Sequence, residues 1–444
     1  MVKAMAFRSF AAKLRPSLGL ALLASSPVTL ATPPELYVGF GPRYSDNIAR
    51  RADQQQSDIE NRFTLRGNYQ TDPGKCIASA NGELSYSVYS QNTCEPQTGI
   101  NAGITGSCEL AQGLSWEVDN QTREYTRTRR LSNTPDNRTR KNVFRTGPSY
   151  LWQLSLLDSV QLSSSYENTE YNDLSDPSRN NNSTLSYPDS DRFIGAIAWS
   201  HLFSPDFSAG LSASVSDAEL DTGAQIRTST LSGTFSKRWA TTALSGSLGV
   251  SEINTTLGSF EQNSGGVVGD LNLTRSLNSG GTLYLRASRE FTDRASNYDI
   301  RFNEFTFELE ESNTLEATSI ETGLDKIFSN GDSLSVSAFA NRSDYLGARS
   351  VAGGRRDGTG VRVGYTRQLT PKLSAVASGE YELLTYKADQ ADYQTTGLDL
   401  GLTYRSSRRL EWAARVGRYE RDSDIETQTY DENWVQLSVD YRLL

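Results

Sequence analysis

Hydrophobic alternation with a period of two constrains this chain more than any other feature. In Thr282-Leu-Tyr-Leu-Arg-Ala-Ser-Arg289, Leu283, Leu285 and Ala287 share one parity and Tyr284 and Arg286 the other. Leu334, Val336 and Ala338 alternate with Ser333, Ser335 and Ser337, and Leu398, Leu400, Leu402 and Tyr404 repeat the pattern. The last residues do so too: Val435, Leu437, Val439, Tyr441 and Leu443 stand against Trp434, Gln436, Ser438, Asp440 and Arg442. Each stretch reads as a β-strand with one apolar and one polar face. A final strand with an apolar face is a free edge unless it is paired. The expectation is therefore a closed barrel, with 434–444 hydrogen-bonded to a first strand beginning near Glu35.

The connections support closure. Short turn signals stand at Asp72-Pro-Gly-Lys75, Ala111-Gln-Gly113, Leu156-Leu-Asp-Ser159, Ser204-Pro-Asp206 and Trp239-Ala-Thr-Thr242. Four more follow at Asn278-Ser-Gly-Gly281, Ser329-Asn-Gly-Asp332, Thr370-Pro-Lys372 and Ser406-Ser-Arg-Arg409. Several carry the Gly, Pro, Asn and Asp of tight hairpins. Longer polar linkers lie between them, such as Asp173 to Asp191 and Phe291 to Glu311, the latter read as the linker that folds inward. Short turns on one side and long loops on the other describe an all-β transmembrane antiparallel up-and-down barrel of about 20 strands (18–22), with short periplasmic turns and long extracellular loops. A solenoid would show a fixed repeat with stacked residues, and the chain has none.

Composition agrees. Hydrophobic residues make up only 36% of the 444, too few for a soluble core of this size, yet aromatics reach 10% with 21 Tyr. Half of each barrel strand faces a wet lumen, which accounts for such a balance. Tyr37, Trp152, Tyr171, Trp239, Tyr404 and Trp412 sit near strand ends, as interfacial girdles require. The net charge of −9 argues against a nucleic-acid partner. Residues 1–31 read as an export signal: Lys3, Arg8, Lys13 and Arg15 precede the apolar run Leu18 to Ala24 and a small-residue site ending at Ala31. Residues 32–444 are then one barrel domain, in a Gram-negative outer membrane, contacting its lipid and lipopolysaccharide.

The chemistry-bearing residues point away from catalysis. His201 is the one histidine, and its neighbour Ser200 projects to the opposite face of the strand, so the two cannot act as base and nucleophile. No His/Cys cluster has metal-ligand spacing, and no cofactor is expected. Cys76, Cys94 and Cys108 suggest one disulfide in an oxidising periplasm, either Cys94–Cys108 around a Gly-rich segment or Cys76–Cys108 between paired strands. A basic run, Arg123, Arg127, Arg129, Arg130, Arg138, Arg140, Lys141 and Arg145, interrupts an acidic protein. With Leu114, Trp116 and Val118 facing lipid, Arg123, Arg127 and Arg129 fall on the lumen parity or in the adjoining loop. Together with Arg145 they form a stripe for an anionic solute or polysaccharide, or a set of cations paired with lumen carboxylates or lipopolysaccharide phosphates.

Gly41-Pro-Arg-Tyr-Ser-Asp-Asn-Ile48, Ser57-Asp58 and Leu84-Ser-Tyr-Ser87 resemble the opening of a family of porin-like outer-membrane barrels found with exopolysaccharide operons (the EpsL-like group) and with PEP-CTERM/exosortase systems. Gly147-Pro-Ser-Tyr-Leu-Trp152 and Ser163 to Tyr171 resemble its middle hairpins. The resemblance runs over the mature chain as short motifs and carries no catalytic residues. It implies a non-enzymatic part in exopolysaccharide synthesis or export, with export proteins as partners. It also implies a terminal aromatic read by the barrel assembly machinery, where this chain has Leu444, one residue out of phase with Tyr441 and Leu443. A general diffusion porin and a structural or adhesive envelope protein without a pore are the rival readings.

Overall fold

The computed structural model describes residues 34–126, 137–173, 188–293, 314–346, 354–387 and 392–444. Strands follow one another along the chain. They begin with β1 (Glu35–Ser45), β2 (Asp58–Gln70), β3 (Cys76–Tyr89), β4 (Gln97–Ala111) and β5 (Leu114–Thr126). Next come β6 (Arg138–Gln153), β7 (Asp158–Asp173), β8 (Ser190–Ser204), β9 (Phe207–Leu220) and β10 (Gln225–Arg238). β11 (Thr242–Leu257), β12 (Phe260–Leu277), β13 (Gly281–Asp293), β14 (Thr314–Ile327) and β15 (Ser333–Leu346) continue the sheet. β16 (Arg355–Thr370), β17 (Leu373–Lys387), β18 (Tyr393–Arg405), β19 (Leu410–Ser423) and β20 (Tyr430–Arg442) complete it.

Every strand pairs antiparallel with the next, and β20 pairs with β1. The sheet is thus a closed 20-stranded meander. Closure leaves the sheet no free edge strand, the condition for crossing hydrocarbon with strands. All nine short turns fall where the turn residues placed them, on the side where β1 begins and β20 ends. Gly113 in the second turn has φ +76° and a Cβ there would strike the Leu151 carbonyl oxygen, so only glycine fits. The opposite side departs from the expectation of uniformly long loops. β9 and β10 are joined by residues 221–224, and β11 and β12 by 258–259 alone, with Gly258 at φ +61°. The Asp221 and Gly258 signals are as turn-like as those of the other side, but they sit inside polar stretches that read as loop.

Side-chain alternation separates two faces. Leu398, Leu400 and Leu402 are 58%, 60% and 49% exposed, and Leu211, Leu231, Leu248 and Val267 lie equally bare on neighbouring strands. Such a belt would aggregate in water and is satisfied by lipid. Trp152, Trp239, Tyr404 and Trp412 are exposed on this face at the short-turn end, with Trp116, Trp199 and Phe203, as a girdle requires. Tyr37 and Tyr171 do not belong to it. Both lie on the inward parity: Arg66 and Arg442 lie over the Tyr37 ring and Lys141 over Tyr171. Proximity to a strand end does not specify a face; parity does.

The seam between β1 and β20 is interrupted, as β6–β7 is at Gly147 and Pro148. Its rungs run from Tyr37↔Arg442 to Phe40↔Val439 and resume at Arg43↔Gln436, omitting Gly41 and Pro42. Pro42 has no N–H to give to a neighbour. Side chains reinforce the seam on either side of this gap. Arg442 pairs with Glu35 at 3.0 Å and Arg66 pairs with Asp440. At the far end Glu432, 1% exposed, accepts from Ser45 Oγ at 2.7 Å, Arg43 Nη2 at 2.8 Å and Arg50 Nε at 2.8 Å. The Leu443 N–H donates to the Leu36 carbonyl at 2.8 Å, extending the seam beyond β20.

Glu432→Ala leaves two guanidinium groups facing a vacated acceptor. It should lower unfolding free energy by about 3–5 kcal/mol in urea titrations of the refolded barrel; a change below experimental error would contradict this account of the seam. A periplasmic turn gives a second expectation. The Asp332 carboxyl accepts from Tyr365 Oη at 2.7 Å, Asn330 Nδ2 at 2.9 Å and the Gln368 N–H at 3.2 Å, fastening the β14–β15 turn to β16. These bonds, the Tyr365 one foremost, hold Asp332 below its ordinary pKa of 3.8. The stabilisation is therefore complete above that value and is lost as pH falls through the lower folded value. Asp332→Asn should melt lower than the parent at neutral pH, with the difference shrinking below about pH 4.

Candidate functional site

The lumen is the site, and its lining is uneven. On β8 to β11 the inward residues include Ala196, Ala198 and Ser200, then Ser212, Ser214 and Ser216, Thr230, Ser232 and Thr234, and Ser247, Gly249 and Ser251. Neighbouring hydroxyls satisfy each other, as in Ser212–Ser232 and Thr230–Ser251 at 2.8 Å. Below Arg192 on β8 this wall carries no charge until the strand ends.

The facing wall is charged and aromatic. Arg286 pairs with Glu321 at 3.7 Å, and Tyr284 Oη donates to the same carboxylate at 3.1 Å. Arg362 lies 4.5 Å over the Phe339 ring, and Arg62 pairs with Glu60 at 2.9 Å. Between these walls β3 to β7 form a recess of about 840 Å³, lined by Ser79, Thr105, Glu117, Asp119, Arg145 and Ser163 among others. Arg145 is exposed in it, its Nε donating to Ser165 Oγ at 3.2 Å although Asp119 is its partner across the rung.

Strand alternation divides the basic run of the sequence. Arg123, Lys141 and Arg145 face inward, Arg123 directly opposite Lys141. Arg140 faces outward and pairs with Glu124 at 3.3 Å. Arg127, Arg129 and Arg130 lie outside the described residues, as do the export signal 1–31, positions 174–187 of the Asp173 linker and 294–313 of the Phe291 linker. Cys76 and Cys108 are partners across one rung of β3 and β4 and form a disulfide at the short-turn end of the outward face; Cys94 lies outside it. His201 Nδ1 is 2.8 Å from Asp158 Oδ1, and Ser155 Oγ donates to the other oxygen of Asp158, not to the imidazole. His201 packs edge-on to Phe203 beside Trp199, within the periplasmic girdle. Among the described residues no group of three His, Cys, Asp or Glu is placed to hold a metal.

The outer end of the lumen has a different construction: the sequence suggests an inward-folding linker from Phe291, but not that β13 itself leaves β12. β12 follows β13 only from Leu277↔Gly281 to Gly269↔Arg289; above that level 260–268 pair with β11 alone, and 290–293 with β14 alone. The upper end of β13 passes on the lumen side of β12. A Cβ on inward-facing Gly266 would sit 3.4 Å from Phe291 Cζ. Phe291 is buried with Ala218, Leu220, Ala224, Ile226, Ile253 and Val268, and Leu346 packs on the same cluster. Asp293 pairs with Arg192 of β8, five strands away, whose Nε lies 3.7 Å from Glu167. By alternation Phe291, Asp293 and Leu346 belong to the lipid-facing parity of their strands. Here they contact inward residues of β8 to β12, so the tips of β13 to β15 are folded into the mouth of the barrel.

A family profile described as "Putative beta-barrel porin 2" matches residues 350–443. No curated protein matches the chain. Among solved structures, the FrpB iron transporter from Neisseria meningitidis is similar at 9% identity and TM-score 0.49, over 93% of this chain and 83% of that one. The ferric enterobactin receptor PfeA of Pseudomonas aeruginosa is similar at 11% identity and TM-score 0.49, over 92% and 80%. The ferric yersiniabactin uptake receptor FyuA of Yersinia pestis is similar at 10% identity and TM-score 0.44, over 93% and 80%. The likeness to these three is one large barrel to another, and their cargo is a property of theirs. With its closed sheet and lipid belt, this chain is a porin-like outer-membrane β-barrel.

The recess makes a prediction about ion preference. Arg145→Glu removes its cation and leaves Glu117 and Asp119. Under a KCl gradient the zero-current potential of open events should move toward cation selectivity; an unmoved potential would mean that ions do not pass this wall.

Proposed function

We propose that this barrel is a non-enzymatic component of exopolysaccharide synthesis or export, with its lumen as the path of a hydroxyl-rich chain. The observation that supports the reading is the uncharged Ser/Thr/Gly/Ala wall of β8 to β11. Each hydroxyl is both donor and acceptor and can exchange its partner for a sugar hydroxyl at small cost. A fixed charge would hold or repel particular residues of a polymer, whereas repeated neutral groups offer equivalent positions along the way. The motifs shared with exopolysaccharide-associated barrels point the same way.

Deleting the gene and measuring secreted polysaccharide tests it; secretion should fall, and unchanged polymer would refute the reading. A diffusion porin for small solutes is the second reading, favoured by the porin profile over 350–443. The two separate in planar bilayers. A glycan path should show current blocked by neutral maltohexaose, while conductance indifferent to that sugar, with secretion intact, supports the porin.

A further inference from the structure

We infer that the outer tips of β13 to β15 are a gate formed by the barrel wall itself, which opens by zipping β13 back onto β12. This inference is independent of the cargo. The tips are closed in the structure: Phe291 lies under Gly266 and Asp293 is paired with Arg192. The open arrangement is encoded in the same residues. Continuing the register from Gly269↔Arg289 places Val268 opposite Glu290, Val267 opposite Phe291, Gly266 opposite Thr292 and Gly265 opposite Asp293. In that register Phe291 stands outward beside Val267, which is 53% exposed at the top of the lipid belt. Leu283, Leu285, Ala287 and Phe291 then form one continuous apolar parity, broken only by Arg289.

The alternation therefore suits a paired wall, yet the structure holds these residues inside. Two features make the inward state viable. One is the apolar cluster on β9 to β12, which stands above the hydroxyl wall of those strands and gives Phe291 a place to bury and Leu346 a surface to pack on. The other is Arg192, aimed from β8 at the position Asp293 occupies only when β13 is folded in. Gly266 on the abandoned edge of β12 leaves room for the ring to slide beneath. A packed cluster exchanged for a set of backbone rungs is a two-state element, not a continuous deformation.

Two measurements test it, both in a Cys94→Ser background with folding verified by heat-modifiable gel mobility. Val267→Cys with Phe291→Cys are partners only in the zipped wall; oxidation should link them and hold a conducting state that reductant reverses, while the parent stays largely closed under the same reductant. Leu271→Cys with Ala287→Cys, partners in the existing ladder, should link without altering conductance. In the second measurement, Asp293→Arg repels Arg192 and should raise the open fraction at least tenfold in planar bilayers. The inference is overturned if the 267–291 pair fails to form where the 271–287 pair does, or forms without a change in conductance. It is overturned equally if Asp293→Arg and the parent conduct alike.

Discussion

Everything in this molecule depends on closing the sheet between β1 and β20. In hydrocarbon an unpaired N–H or C=O has no water to turn to, so one open seam would cost more than any side-chain contact in the barrel returns. Yet this seam contains Pro42, which removes a donor, and loses the rungs at Gly41 and Pro42. The protein compensates with charge. Glu35–Arg442, Asp440–Arg66 and Glu432 with Arg43 and Arg50 stitch both halves of the seam from inside. Ion pairs at an aqueous surface contribute little, but Glu432 is buried, and two of its three donors, Arg43 and Ser45, are fixed on β1 while Arg50 reaches it from the β1–β2 connection. Placing them on the inward parity keeps their charge out of the lipid.

The same parity rule divides the rest of the chain. A residue's side is set by its count along the strand, and this explains why a basic run legible as one stripe becomes two groups. Arg123, Lys141 and Arg145 enter the lumen, whereas Arg140 joins Glu124 outside. It also explains why the hydroxyl wall was not visible as a unit. Its serines are scattered singly through β8 to β11, and only the lateral register places Ser212 beside Ser232 and Thr230 beside Ser251.

Strand number, turn positions and the lipid face were legible because each is local: a tight turn needs its Gly or Asp, and a strand shows its faces within seven residues. The closing seam was legible from the alternation of Val435, Leu437, Val439, Tyr441 and Leu443. Two short outer connections were not, since 221–224 and 258–259 lie within polar surroundings that resemble loops. The aromatic girdle was half legible. Trp152, Trp239, Tyr404 and Trp412 occupy it, but Tyr37 and Tyr171 were counted by position along the strand when facing decided the matter. Of the mouth of the barrel, only an inward-folding Phe291 linker was legible; alternation assigns Phe291 itself outward, and only the meeting of β13 with β8 and β12 moves it inside.

That reversal has a consistent energy scale. Zipping β13 onto β12 through 265–268 and 290–293 forms a few backbone hydrogen bonds, each worth about 0.5–1.5 kcal/mol net. Folding the tips inward instead buries Phe291, at about 1.5–3 kcal/mol, covers part of Leu346, and adds the Arg192–Asp293 pair. The opposing sums are of similar size, so neither arrangement dominates by more than a few kcal/mol. The location of the parting follows from the same comparison. Below Gly269 the flanking outward residues, Leu271, Leu273 and Leu285, face hydrocarbon, where an unmade rung is prohibitive. At Arg289, which pairs with Glu316 at 2.9 Å, the wall has reached polar surroundings and lost rungs can be replaced by water or by packing. The wall parts at the upper margin of the lipid belt, where Val267 stands, and the apolar cluster on β9 to β12 lies at that level to receive the strand that leaves it.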